Sequence, residues 1–122
     1  MQFKDILKGR KLMEDILRKI DNEVKKNKII VYMKGTKAEP QCGFSAAVVD
    51  VFNTLGVGFE TRDILSDNEL REGIKKYSNW PTIPQVYING KFIGGCDITR
   101  ELYETGELQK IIQETSNSSP KS

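Results

Sequence analysis

An α/β fold, with one mixed four-stranded sheet covered by helices on both faces, is what this sequence predicts. Three observations predict it. Segments of helical and of strand character follow one another in the order α-β-α-β-α-β-β-α. The first two strands are separated by a helix, which calls for a parallel pair. The last two are joined through Asn89-Gly90, a strong hairpin signal that adds antiparallel strands to the same sheet. The 122 residues, 38% hydrophobic and 30% charged, suit a single core, and no repeat or second domain is visible.

Each element has its own signal. Residues 1–11 read as a weakly ordered lead-in. Leu12, Ile16, Ile20 and Val24 then recur at four-residue steps, with Met13 and Leu17 beside them, as the core stripe of a first helix. "IIVYM" (29–33) is short, apolar and β-branched, the mark of a buried strand. "KGTKAEPQ" is a loop. A helical pattern runs from Gly43 through "FSAAVVDVFNTL" until Gly56 stops it. "FETRDI" (59–64) alternates as a strand, and "SDNELREGIKKYS" opens a helix with Ser66 and Glu69 at capping-box spacing. "PQVYING" and "KFIGG" form the hairpin, and "DITRELYETG" and "ELQKIIQE" are closing helices. The folded domain therefore covers 12–114, and the polar "TSNSSPKS" (115–122) is expected to be disordered.

Composition excludes several functions. Without histidine, His-based activation of a nucleophile is impossible. A tetrahedral Cys/His metal site cannot be built within one chain, and two cysteines are too few for a secreted disulfide framework. A formal net charge of +2 gives no general argument for nucleic acid. The basic run "NEVKKNK" reads as a solvated helix end. No apolar run approaches the ~20 residues that span a bilayer. The expected setting is intracellular and reducing, and the N-terminus, with its acidic residues, is a poor transit peptide.

The chemistry gathers in three stretches. In "PQCGFS", Cys42 stands at the start of a helix, where free N–H groups and the macrodipole favour a thiolate. Lys34 at the end of the first strand adds a positive charge, and Gly43 leaves the sulfur open. Ser45 stands where a second cysteine of a redox pair would be. In "WPTIPQ", Pro84 opens a strand, and its peptide bond is either cis or a rigid trans turn. In "GGCD", Asp97 is placed to cap the next helix, whose start is also an anion site. Cys96 is expected to be a small packed residue rather than a redox partner.

Together "MKGT", "PQCGFSAAVV" and "LREGIKKYSNWPTIPQVYINGKFIGGCDI", in this order, resemble the monothiol glutaredoxins of the CGFS type. The resemblance covers residues 12 to about 113. It implies a thioredoxin fold, a cis bond before Pro84, and glutathione as ligand. Cys42 resembles the active cysteine, with Phe44 beside it. Lys34, Arg71 and Lys75 resemble the cations that meet the glycine carboxylate of glutathione. Thr82 and Ile83 offer a backbone edge, and Gly95, Cys96 and Asp97 hold the γ-glutamyl end.

The resemblance further implies a 2Fe-2S cluster. Two chains each give Cys42, two glutathione sulfurs complete the four ligands, and the holo form is a cluster-bridged homodimer. The preferred function is a carrier that passes the cluster between donor and acceptor proteins of iron–sulfur assembly. A glutathione-dependent thiol–disulfide oxidoreductase, acting on glutathionylated thiols, is the alternative. A Cys42–Cys96 switch ranks below both. Neither nucleic acid nor membrane is an expected partner. The single-domain form leans to the mitochondrial matrix, with cytosol and plastid left open.

Overall fold

The computed structural model describes residues 3–117. Five helices and four strands alternate as α1 (Phe3–Lys26), β1 (Ile29–Met33), α2 (Gly43–Leu55), β2 (Glu60–Asp63), α3 (Asn68–Ser78), β3 (Gln85–Ile88), β4 (Lys91–Gly94), α4 (Cys96–Thr105) and α5 (Glu107–Asn117). The sheet order is β2-β1-β3-β4. β1 pairs with β2 in parallel and with β3 antiparallel, and β4 runs antiparallel to β3. The α/β class and the mixed sheet are those read from the sequence.

The pleat of β1 divides the core. Ile29, Val31 and Met33 face α2, α4 and α5, where they pack with Val48, Phe52, Leu108 and Ile112. Ile30 and Tyr32 point the other way and meet Ile20 and Val24 of α1, Leu70 and Ile74 of α3, and Tyr87 of β3. Successive side chains of a strand alternate between faces, so a strand buried on both sides must be apolar throughout. That is why "IIVYM" carries no polar interruption. Asn89 and Gly90 both take positive φ, 54° and 80°, the conformation a two-residue hairpin turn requires.

Several boundaries differ from the sequence reading. Helix α1 begins at Phe3, so residues 3–11 are helical rather than a lead-in. Gly9 lies within this stretch, at a helix cost of about 1 kcal/mol relative to Ala. Leu12 is 46% exposed and does not belong to the core stripe. Four-residue steps drift around a helix of ~3.6 residues per turn; only Ile20 and Val24 of that ladder are fully buried. The cap of α3 is Asp67, whose carboxylate accepts from the Leu70 N–H at 3.0 Å. Ser66 instead donates to the Asp63 carbonyl, so there is no Ser66–Glu69 capping box. Helix α4 starts at Cys96 with Gly95 as cap, two residues before the expected cap; Asp97 lies inside the first turn and makes no cap. Of the tail expected to be disordered, residues 115–117 continue α5 and residues 118–122 lie outside the described residues.

Candidate functional site

The loop between β1 and α2 is held by its own backbone. Gly35 bridges to Pro40, Thr36 and Glu39 exchange hydrogen bonds at 3.1 Å, and the Gln41 N–H donates to the Lys34 carbonyl at 2.9 Å. A side chain at Gly35 is precluded: its φ is 90°, and a Cβ would lie 2.5 Å from the Gln41 nitrogen. Lys37 ties the loop outward, its ammonium donating to the Phe59 carbonyl and sitting 4.2 Å from the centre of the Phe59 ring.

This loop delivers Cys42 to the N-cap position of α2, in extended conformation and half exposed. Its thiol is held below the ordinary range. The Ser45 backbone N–H contributes most to that lowering, burial opposes it, and the Phe44 N–H, the Ser45 hydroxyl and the Lys34 charge follow. The helix start therefore outweighs the lysine, although the sequence suggested both. Ser45 is fully buried, and its Oγ also accepts from the Lys34 N–H at 3.1 Å.

Near the start of α2 lies an open groove of about 250 Å³, lined there by Phe44 and not by Cys42 itself. One wall is the segment Thr82, Ile83 and Pro84, with Trp80 before it; the other is Gly95, Cys96 and Asp97 at the start of α4, with Ile98 behind them and Phe44 at the near end. The Ile83–Pro84 bond is cis. The two walls are in close contact, since a Cβ on Gly95 would lie 3.2 Å from the Pro84 carbonyl oxygen. Cys96 is buried, packs into the core, and has its thiol pushed up by that burial. Among the sequence candidates, the groove gathers Phe44, Thr82, Ile83, Pro84, Gly95, Cys96 and Asp97. Cys42 caps α2, Lys34 precedes its loop, and Arg71 and Lys75 are half-buried on α3; none of these four lines the groove.

Two features of this site were not anticipated. Trp80 and Ile98, at 37% and 39% exposure, join the expected Phe44, at 63%, in an exposed apolar rim. Gln85 is fully buried beneath the wall. Its Nε2 donates to the carbonyls of Trp80 and Thr82, at 3.1 and 3.3 Å, while its Oε1 accepts from the Tyr87 hydroxyl at 2.9 Å. The signal for it was available: a glutamine inside the strand "QVYI", all four residues of which are buried, has to be hydrogen-bonded.

Residues 29–93 match the glutaredoxin family. A monothiol glutaredoxin from Synechocystis, called ycf64-like and uncharacterized, is 61% identical over 95 residues, covering 78% of this chain and 89% of that one. The chloroplastic monothiol glutaredoxin-S7 of rice is 49% identical over 86% of this chain and 62% of its own length. The mitochondrial glutaredoxin-related protein 5 of Danio rerio is 47% identical over 79% and 63%. Among solved structures, reduced poplar apo GrxS14 matches with a TM-score of 0.72 at 48% identity, covering 81% of this chain and 91% of that one. A buckwheat glutaredoxin in complex with glutathione matches at 0.78 and 26% identity, covering 87% and 94%. The architecture is that of the thioredoxin and glutaredoxin folds.

Proposed function

The chain belongs to the glutaredoxin family, among the monothiol glutaredoxins, and from that premise we propose that it binds glutathione and carries a 2Fe-2S cluster between two copies of itself. Membership makes it a glutathione-related redox protein. The observation that carries the finer reading is a single half-exposed thiol at a helix start, beside a groove, with serine where a second thiol would be.

The donor set decides how a cluster is held. A cluster of two irons takes four ligands, usually thiolates. Among the described residues no group of three or more His, Cys, Asp or Glu could hold a metal. Cys96 is buried and its thiol raised, so one chain offers one thiolate, Cys42. Two Cys42 thiolates and two glutathione thiols supply four. The cluster is thus cargo, bridging two copies and passed from donor to acceptor proteins of iron–sulfur assembly.

Glutathione carries a carboxylate at each end. In this reading its glycine end meets Lys34, Arg71 and Lys75, its peptide groups lie along Thr82 and Ile83, and its γ-glutamyl end meets Gly95, Cys96 and Asp97. Phe44 covers the near end. Backbone N–H groups at the start of α4 suit an anion. Anaerobic reconstitution with iron, sulfide and glutathione tests the proposal. The parent gains visible absorbance and sediments as a dimer, then returns to monomer on chelation. Cys42→Ser stays folded and colourless, and a fully coloured Cys42→Ser protein overturns the assignment.

The lowered thiol of Cys42 favours a second reading, glutathione-dependent thiol–disulfide exchange. The Cys42 thiolate attacks the glutathione sulfur of a glutathionylated protein, releasing that protein's thiolate. A second glutathione thiolate then attacks the Cys42 mixed disulfide, leaving oxidised glutathione and free Cys42. Relatives named mitochondrial and chloroplastic support an organelle, and we place the protein in the mitochondrial matrix. Fractionation decides between this and plastid or cytosol.

A further inference from the structure

One carboxylate oxygen outside the groove joins the pieces of the site. Asp63 is the last residue of β2, opposite Met33 of β1. Its Oδ1 accepts from the Gly35 N–H and from the Leu65 N–H, each at 2.9 Å. Gly35 belongs to the turn from which the Cys42 loop departs. The adjoining Lys34 donates its N–H to Ser45 Oγ at 3.1 Å, and its carbonyl accepts from Gln41, the residue before Cys42, at 2.9 Å. Leu65 belongs to the connection leading to α3, which carries Arg71 and Lys75. The same oxygen therefore touches the support of the thiol and the root of the cationic helix.

We propose that Asp63 is a positioning residue: its Oδ1 clamps the Lys34-Gly35 turn to the β2–α3 connection and so sets where Cys42 stands relative to the cations of α3. It acts as an acceptor at a fixed place, not as a charge. Asparagine, which keeps an acceptor oxygen there, should therefore serve. Glutamate keeps the charge but displaces the oxygen by one methylene, and alanine removes the acceptor, so both should fail.

The proposal rests on glutathione as the ligand, and the experiment separates the two. Protein is equilibrated with defined ratios of reduced and oxidised glutathione, and the mixed disulfide on Cys42 is counted by intact mass. In that step the Cys42 thiolate attacks one sulfur of oxidised glutathione, the sulfur–sulfur bond breaks, and one glutathione thiolate leaves. Asp63→Ala and Asp63→Glu should lower the equilibrium constant about threefold to tenfold, the scale of one hydrogen bond. Asp63→Asn should stay within about twofold of the parent, a fraction of that scale. An alanine variant that folds and matches the parent overturns the proposal, as does an asparagine variant as weak as alanine. If alanine does not fold, the asparagine–glutamate pair decides.

Hydrogen exchange at the Gln41 amide, which Asp63 does not itself contact, gives a reading that needs no glutathione. Faster exchange in the alanine and glutamate variants but not in asparagine supports the clamp, and unchanged protection overturns it. A parent that takes up no glutathione sinks the glutathione reading alone, and the exchange result still judges Asp63.

Discussion

Gln85→Leu should destabilise the protein by about 3 kcal/mol, summed from three hydrogen bonds whose net worth is roughly 0.5–1.5 kcal/mol each. Leucine is similar in size, so the cavity contribution is small and the loss is polar. The three bonds are unequal. The carbonyls of Trp80 and Thr82 belong to exposed residues, where water can replace the amide. The Tyr87 hydroxyl has no outlet to water, because Tyr87 is 2% exposed, and only the Ser78 side chain is left to it. Stranding it costs roughly 1–3 kcal/mol and is the largest part. Urea unfolding at constant m-value measures the total. The partner variant Tyr87→Phe identifies the source: once the hydroxyl is gone, Gln85→Leu should be milder by about 1–2 kcal/mol. Strictly additive costs would refute the reasoning, and so would a Gln85→Leu protein as stable as the parent. The same variant should weaken glutathione binding, since the wall carrying Trp80 and Thr82 loses its support from below.

The alkylation rate of Cys42 against pH should have its midpoint below the ~8.5 of a free thiol. Folded-state stabilisation of the thiolate is full above the unfolded value and is lost as pH falls through the lowered one; a midpoint at or above the free value would contradict the hydrogen bonding described for Cys42. Lys34→Ala should raise that midpoint only slightly, because its charge contributes less than the Ser45 and Phe44 amides; a large rise would reverse that order. Gly73→Ala should destabilise in urea melts despite alanine's helix preference of about 1 kcal/mol. A Cβ there would sit 2.4 Å from Ile16 Cγ2 and 3.2 Å from Ile20 Cδ1, and overpacking costs roughly 1–3 kcal/mol. A more stable Gly73→Ala protein would show that α1 yields freely.

What the sequence made legible was whatever depends on period and on local chemistry. β1 is apolar because both of its faces are covered, and Asn89-Gly90 turns because both residues accept positive φ. Cys42 was legible because a strand–loop–Cys-Gly order puts it at a helix start. Less local features did not show. Ser66 and Asp67 both satisfy the capping rule for α3, and only the path of the chain after Asp63 decides between them. Asp97 has the right residue type to cap α4, but Gly95, packed against the Pro84 carbonyl, caps the helix two residues sooner. The clamp at Asp63 spans 28 residues to Gly35, and no window along the sequence contains both ends.

Position 45 shows how the missing second thiol is built into the packing. Ser45 is not an idle replacement, because it is fully buried and works in two directions. Its backbone N–H and hydroxyl lower the Cys42 thiol, while its Oγ accepts from the backbone of Lys34. A thiol at the same place is larger and a weaker hydrogen-bond acceptor, so it would lengthen or lose the bond to Lys34. That bond ties the first turn of α2 to the end of β1. With oxygen at position 45 the support of Cys42 is firm, but no internal sulfur stands ready to resolve a disulfide formed on it. The other cysteine offers no easy substitute, since Cys96 is buried in the core with its thiol raised. Any sulfur partner that releases Cys42 therefore comes from outside the chain, and in the proposed reading that partner is a glutathione lying along the groove that Phe44 lines.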